Sequence, residues 1–179
     1  TAGNLDAYFS VETKKQSITD QKSSGRCWMF SGLNVIRADF AQKTDSLTID
    51  LSQDYLFFWD QLEKANLFLQ GVIDCADKPM EDERVRFFFK APLNDGGTFC
   101  GVADLTSKYG FVPSSVMPET FSSENTARMS SLIRSKLREY GLQLREMVSN
   151  GKKAAAIKAE KTKMLATVYK MLAMTLGEP

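Results

Sequence analysis

The sequence contains no histidine among its 179 residues. No other side chain has an unperturbed pKa suited to shuttling a proton near neutral pH, so this chain has no imidazole base of its own. It also has no apolar run of about 18 residues, which predicts that no segment spans a membrane. No basic stretch followed by an apolar one marks a secretion signal. The chain starts at Thr1 rather than methionine, which leaves open a leader removed upstream.

Cysteine is also scarce, and the three present are Cys27, Cys75 and Cys100. An odd and sparse set of this kind does not match a disulfide framework, which favours a reducing compartment and predicts a cytoplasmic location. The net charge of +1 and the apolar share of 43% predict one sizeable core, without requiring a nucleic-acid or membrane partner. No residue pattern indicates a cofactor or a bound metal.

The most informative stretch is residues 20–31, where Cys27 is preceded by Gly25 and followed by Trp28. Apolar residues at helical spacing follow, namely Met29, Leu33, Ile36 and Phe40. A thiol attacks as its thiolate, and the first turn of a helix stabilises that anion. Gln21 could then donate an amide N–H to an oxyanion beside the cysteine backbone N–H. The alternative is that Cys27 is a small buried hydrophobic residue, as a lone helical cysteine often is.

These residues resemble the active-site cysteine segment of papain-like cysteine peptidases. The matching positions are Gln21, Gly25, Cys27, Trp28, Phe30 and Ser31. Ser24 and Arg26 depart from the papain signature and resemble the aminopeptidase C and bleomycin hydrolase branch more closely. The resemblance implies that Cys27 is the nucleophile, that Gln21 stabilises the oxyanion, and that peptides are the substrates.

A second candidate site lies at the adjacent glycines Gly96 and Gly97, which follow Asn94 and Asp95. Adjacent glycines allow a tight turn and the close approach of another backbone. In the family a similar segment binds the main chain of the substrate, and the resemblance implies this role for Gly96 and Gly97. The alternative is an ordinary turn before a helix.

The absent histidine bears directly on activity. A papain-like histidine is expected about 130–150 residues after the cysteine, and the corresponding window, 157–177, has a helical pattern instead. Either the chain is a pseudoenzyme, or a helical insertion displaces the histidine and asparagine beyond it. We favour the second interpretation and expect the chain to be inactive alone, with the histidine coming from a missing C-terminal half or another chain. The alternative function is a non-catalytic helical scaffold, assembly or binding module.

The periodicity predicts a mainly α chain, the helical half of a papain-like α+β peptidase with the start of a helical insertion. The predicted helices span about 26–43, 52–73, 79–90, 98–109, 124–149 and 152–176, and residues 45–50 form a connector that could hold a strand. We predict a papain-like helical subdomain over 1–122 and a helical hairpin over 123–179, whose apolar stripe needs a cover. By resemblance, the full assembly is a homohexamer. Five lysines at 152–163 form either a solvated helix face or a basic lining.

Overall fold

The computed structural model describes residues 8–13, 17–44 and 49–179. Within these ranges the fold consists of α-helices, connected by loops that carry two isolated β-bridges. The helices are α1 (Cys27–Lys43), α2 (Gln53–Asp74), α3 (Glu83–Lys90), α4 (Phe99–Tyr109), α5 (Phe121–Glu124), α6 (Ala127–Ser149) and α7 (Ala154–Leu176). The prediction of a mainly α chain is therefore confirmed. None of the described helices is both long and apolar enough to cross a bilayer.

Helix α2 is the centre of the fold, and it contacts α1, α3, α4, α6 and α7. The hairpin formed by α6 and α7 packs on α2 through buried side chains such as Leu137, Leu144, Val168 and Leu172. The apolar stripe of the hairpin thus finds its cover within this chain. One core cluster includes residues from α1, α2, α6 and α7, while the division into 1–122 and 123–179 stays a prediction.

Several helix ends follow the chemistry expected from the sequence. Ser52 caps α2, because its side-chain oxygen accepts the backbone N–H of Tyr55 at 3.0 Å. Gly110 ends α4 with a φ of 74°, a backbone conformation that favours glycine. Gly151 has a φ of 67° in the turn between α6 and α7. Helices α1, α2 and α4 lie within about one residue of their predicted bounds.

Two predicted helix starts are wrong. The third helix begins at Glu83 rather than at Pro79, because residues 79–82 form a turn in which the Asp82 N–H donates to the Pro79 carbonyl. Asp82 then caps α3 by accepting the N–H of Arg84 at 2.9 Å. The long helix predicted from residue 124 begins at Ala127, after the short helix α5.

The break between α5 and α6 has a tertiary cause. The backbone of Asn125 leaves the helical conformation there, with a φ of −136° and a ψ of 71°, and pairs with Ser23 in a parallel β-bridge. The Ser23 N–H donates to the Glu124 carbonyl at 2.9 Å. The interruption therefore anchors the loop that precedes Cys27. Of the predicted connector 45–50, residues 45–48 lie outside the described part, and Leu51 forms an isolated bridge with Pro113.

We expect Gly71→Ala to destabilise the protein by about 2 kcal/mol, as overpacking of a core usually does. A β-carbon at Gly71 would lie 2.1 Å from the ring of Phe88, which packs on α2 beside Phe68. Urea unfolding measures the loss. Gly96→Ala is the matched control, because its β-carbon would meet only an Asn94 side-chain oxygen at 3.4 Å. Equal stability of the two variants would contradict the packing of α3 on α2.

Candidate active site around Cys27

Cys27 is the first residue of α1, and its side chain is exposed. All three cysteines are free thiols. Cys75 has the character expected of a buried hydrophobic cysteine: its thiol donates to the Gly71 carbonyl at 2.9 Å, and burial raises its pKa. Cys27 is instead open to reagents at the start of a 17-residue helix. The buried interpretation therefore applies to Cys75 and not to Cys27.

The loop before Cys27 is closed by two reciprocal hydrogen bonds. The Gln21 side-chain amide donates to the Ser24 carbonyl at 2.7 Å, and the Ser24 hydroxyl donates to the Gln21 carbonyl at 2.6 Å. Lys22 lies between them with a φ of 52°. An amide nitrogen carries two N–H groups, and the second one of Gln21 makes no hydrogen bond to the described residues. Gln21 thus lies in a closed turn that ends three residues before Cys27, with one amide N–H that has no partner among the described residues.

The two glycines of the second candidate site differ in what surrounds them. A β-carbon at Gly97 would lie 2.5 Å from the indole ring of Trp28, whereas the nearest atom at Gly96 is a side-chain oxygen at 3.4 Å. Trp28 follows Cys27 directly, so Gly97 lies against the residue next to the thiol. Within the described part of the chain, the backbone N–H and carbonyl of Gly97 make no hydrogen bond, and the residue is exposed. Of the two positions, only 97 therefore needs a glycine, because any side chain there would clash with the Trp28 ring.

Asp95 connects the glycine turn with the cysteine loop, a link that the sequence did not predict. Its carbonyl accepts the Trp28 indole N–H at 2.7 Å. Its carboxylate accepts the Gly25 backbone N–H at 3.3 Å, together with the hydroxyls of Thr126 and Ser130. The acidic side chain thus ties the residues before Cys27 to the start of α6. These partners are between 31 and 70 residues away in sequence, so no local signal indicates the contact.

Arg26, immediately before Cys27, is 0% exposed. It forms a two-pronged ion pair with Glu119 at 3.0 and 2.7 Å, and donates to the Ser24 hydroxyl at 3.0 Å. Its guanidinium also lies over the rings of Phe30 and Phe57, at 5.1 and 5.2 Å from their centroids. At the sequence level this arginine was only a departure from the papain signature. In the structure it anchors the first residue of the cysteine helix.

Asp54 is buried close to this ion pair, with 0% exposure. Neither of its carboxylate oxygens has a hydrogen-bond partner among the described residues. Burial raises its pKa to about 8, with the negative charge of Glu119 adding to the rise and Arg26 opposing it. Glu119 binds the Arg26 guanidinium directly, whereas the raised pKa of Asp54 favours its protonated form at neutral pH.

The cavities near these residues are shallow. A cleft of about 660 Å³ lies between the cysteine loop, the glycine turn and α6, and Gly25, Asp95 and Gly96 contribute to its wall. A larger apolar groove of about 1000 Å³ lies between α2 and α7, away from Cys27. No group of three metal-ligating side chains occurs among the described residues.

Comparison with known proteins supplies the context for this arrangement. The model of the Peptidase C1-like family matches residues 1–179. Aminopeptidase C of Lactobacillus delbrueckii subsp. lactis is 44% identical over 176 residues, which cover 98% of this chain and 39% of that protein. Aminopeptidase G of the same organism is 46% identical over 178 residues, covering 99% of this chain and 40% of the relative.

Two further proteins show the same partial match. Bleomycin hydrolase of Homo sapiens is 37% identical over 172 residues, which cover 95% of this chain and 38% of that protein. The crystal structure of PepW from Lactobacillus rhamnosis HN001 superposes with a TM-score of 0.92 at 42% identity, covering 97% of this chain and 39% of that one. The chain thus spans about two fifths of the length of these four proteins.

Proposed function

The chain belongs to the Peptidase C1-like family, and on that premise we propose that it is the N-terminal portion of a cysteine aminopeptidase. The whole protein would release N-terminal residues from peptides through an acyl-thioester on Cys27. The observation that carries this proposal is the exposed thiol at the first residue of α1, with Gly97 held against the adjacent Trp28. Relatives named as aminopeptidases and bleomycin hydrolase support it.

Each site residue has a defined part in the proposed reaction. The Cys27 thiolate attacks the peptide carbonyl, a sulfur–carbon bond forms, and the oxygen takes the negative charge. Gln21 donates its free N–H to that oxygen, while Gly96 and Gly97 lie along the substrate main chain. The carbon–nitrogen bond then breaks, and the amine leaves with a proton from a general acid. Water afterwards hydrolyses the thioester and returns the thiol.

We propose that the general acid and base is a histidine from outside these 179 residues, because the chain has none of its own. We propose that a further segment or a second chain supplies it. The 179-residue chain alone is therefore expected to cleave aminoacyl-amide substrates no faster than its Cys27→Ala variant. Turnover above that of the variant would overturn the proposed need for an outside histidine.

The main-chain role of the glycine turn is tested by the choice of alkylating reagent. For each reagent we compare the alkylation rate of Cys27 with that of Cys100. We expect this ratio to be about tenfold higher with a dipeptidyl chloromethyl ketone than with iodoacetamide, because two backbone hydrogen bonds to Gly97 contribute roughly 0.5–1 kcal/mol each. Mass spectrometry of the labelled peptides gives both rates at each cysteine. The same ratio at both cysteines would contradict the proposed site.

Gly97→Ala is expected to abolish this preference at Cys27, since a methyl group there would displace the Trp28 ring. Gly96→Ala is the matched control and should keep most of the preference, because its nearest neighbour is 3.4 Å away. The same two labelling rates measure both variants. Equal loss in both would indicate a general disturbance of the turn rather than a contact at Gly97.

A non-catalytic helical scaffold is the second candidate, and the complete lack of histidine is the observation that favours it. The two functions differ in the reagent experiment: a scaffold has no reason to keep Cys27 selective for peptide-like reagents.

The homohexamer and the cytoplasmic location are further proposals. The three free thiols support a reducing location, and sedimentation of the whole protein measures its assembly.

A further inference from the structure

Lys64 of α2 lies beneath the glycine turn and contacts it through two backbone carbonyls. Its ammonium donates to the Asn94 carbonyl at 2.9 Å and to the Gly96 carbonyl at 2.6 Å. A third bond, at 2.7 Å, goes to the carboxylate of Asp60 one helical turn earlier. An ammonium group has three N–H donors, so all of them are used, and the side chain is only 22% exposed.

The carbonyls of three consecutive turn residues are all occupied by inward-facing donors. The Asn94 carbonyl also accepts the side-chain amide of Gln61 at 3.1 Å, and the Asp95 carbonyl accepts the Trp28 indole N–H at 2.7 Å. Lys64 holds the carbonyls on either side of Asp95. Gly97 is the first residue of the turn whose backbone groups make no hydrogen bond to the described residues. Its N–H and carbonyl are therefore available to bind another chain.

The anchor of Lys64 is itself buried. Asp60 is 6% exposed and accepts hydrogen bonds from both Lys64 and Gln61. The Lys64 ammonium also lies 5.4 Å from the centroid of the Trp28 ring. A single cation therefore contacts the turn and the aromatic ring that follows Cys27, from a rigid position in the central helix.

We propose that Lys64 is a positioning residue that holds the 94–97 turn in place so that the backbone of Gly97 faces a peptide bound at Cys27. This inference rests on the proposed function and adds a residue to it. Lys64 acts through the turn and does not touch the substrate. Two adjacent glycines have wide backbone freedom. Without the hydrogen bonds from Lys64, the turn would therefore lose more conformational entropy when it binds a peptide, which weakens binding.

The test compares Lys64→Met with Lys136→Met. Lys136 is a close match: it pairs with Glu139 at 3.0 Å and lies 5.0 Å from the Tyr140 ring, but it is on α6 and binds no turn carbonyl. For each variant, the rates of Cys27 alkylation by the dipeptidyl chloromethyl ketone and by iodoacetamide are measured. Hydrogen–deuterium exchange of residues 94–98 is followed in the same samples.

In Lys64→Met we expect the ratio of the two alkylation rates to fall about fivefold, because hydrogen bonds from a charged donor to the turn are lost. The iodoacetamide rate should change by less than about twofold, since a small reagent does not need the turn. Exchange in residues 94–98 should become faster. Lys136→Met should leave all three quantities unchanged.

An unchanged ratio in a folded Lys64→Met variant, with slow exchange in the turn, would overturn the inference. Lys64→Arg is the second variant and guards against misfolding, because it keeps the charge and the donors. It should retain more of the ratio than Lys64→Met, and an equal loss would also count against a positioning role. If the unsubstituted chain itself shows no preference for the dipeptidyl reagent, the proposed function fails, which is distinct from a failure of the Lys64 inference.

Discussion

Asp54→Asn is expected to stabilise the protein, by an amount that grows as the pH rises from about 4 to about 8. The buried Asp54 carboxyl has a pKa raised from 3.8 to about 8, chiefly by desolvation. Between these two values the unfolded chain releases the proton while the folded chain keeps it, so the stability of the original protein falls with rising pH. Asparagine has no proton to release and avoids that fall.

The gain at pH 8 should be on the order of 5 kcal/mol, from about four pH units at 1.36 kcal/mol each. Near pH 4 the difference should be small, because Asp54 of the unfolded chain is then only about half ionised. Urea unfolding of both proteins at several pH values measures it. Asp39→Asn is the control, since the Asp39 side chain is 61% exposed and should change stability by less than about 0.5 kcal/mol. A gain that is equal at every pH would show that Asp54 is ionised in the folded protein.

Arg26→Met is expected to destabilise the chain by about 3–5 kcal/mol, the usual cost of breaking a buried ion pair by removing one partner. The substitution leaves Glu119 without its two guanidinium bonds and removes the positive charge of Arg26, which opposes the rise in the pKa of Asp54. The loss of the ion pair should be visible in urea unfolding at pH 7.

Lys108→Met is the matched control for Arg26→Met. Lys108 also pairs with a glutamate, Glu63, but its side chain is 62% exposed. Exposed ion pairs typically contribute about 0–1 kcal/mol, so this variant should lose no more than that. Similar losses in Arg26→Met and Lys108→Met would contradict the structural importance of the buried pair beside Cys27.

Local signals in the sequence located most of the elements that carry the site. The apolar spacing after Cys27 predicted α1, Ser52 predicted the start of α2, and Gly110 predicted the end of α4, because caps and helical faces depend on neighbouring residues. The start of α6 was predicted three residues too early. That boundary depends on Ser23, which pairs with Asn125 from more than a hundred residues away, and no local pattern encodes such a contact.

The sequence by itself determined the chemical identity of the site: one cysteine at a helix start, a glutamine upstream, a pair of glycines and no histidine. Only the tertiary structure decided that Gly97, rather than Gly96, lies against Trp28, and that Arg26, Asp95 and Lys64 form hydrogen bonds around the loops near Cys27. The physical reason is that burial and hydrogen bonding between distant segments arise only when helices pack. Residue type sets what a side chain can do, and packing sets which partner it meets.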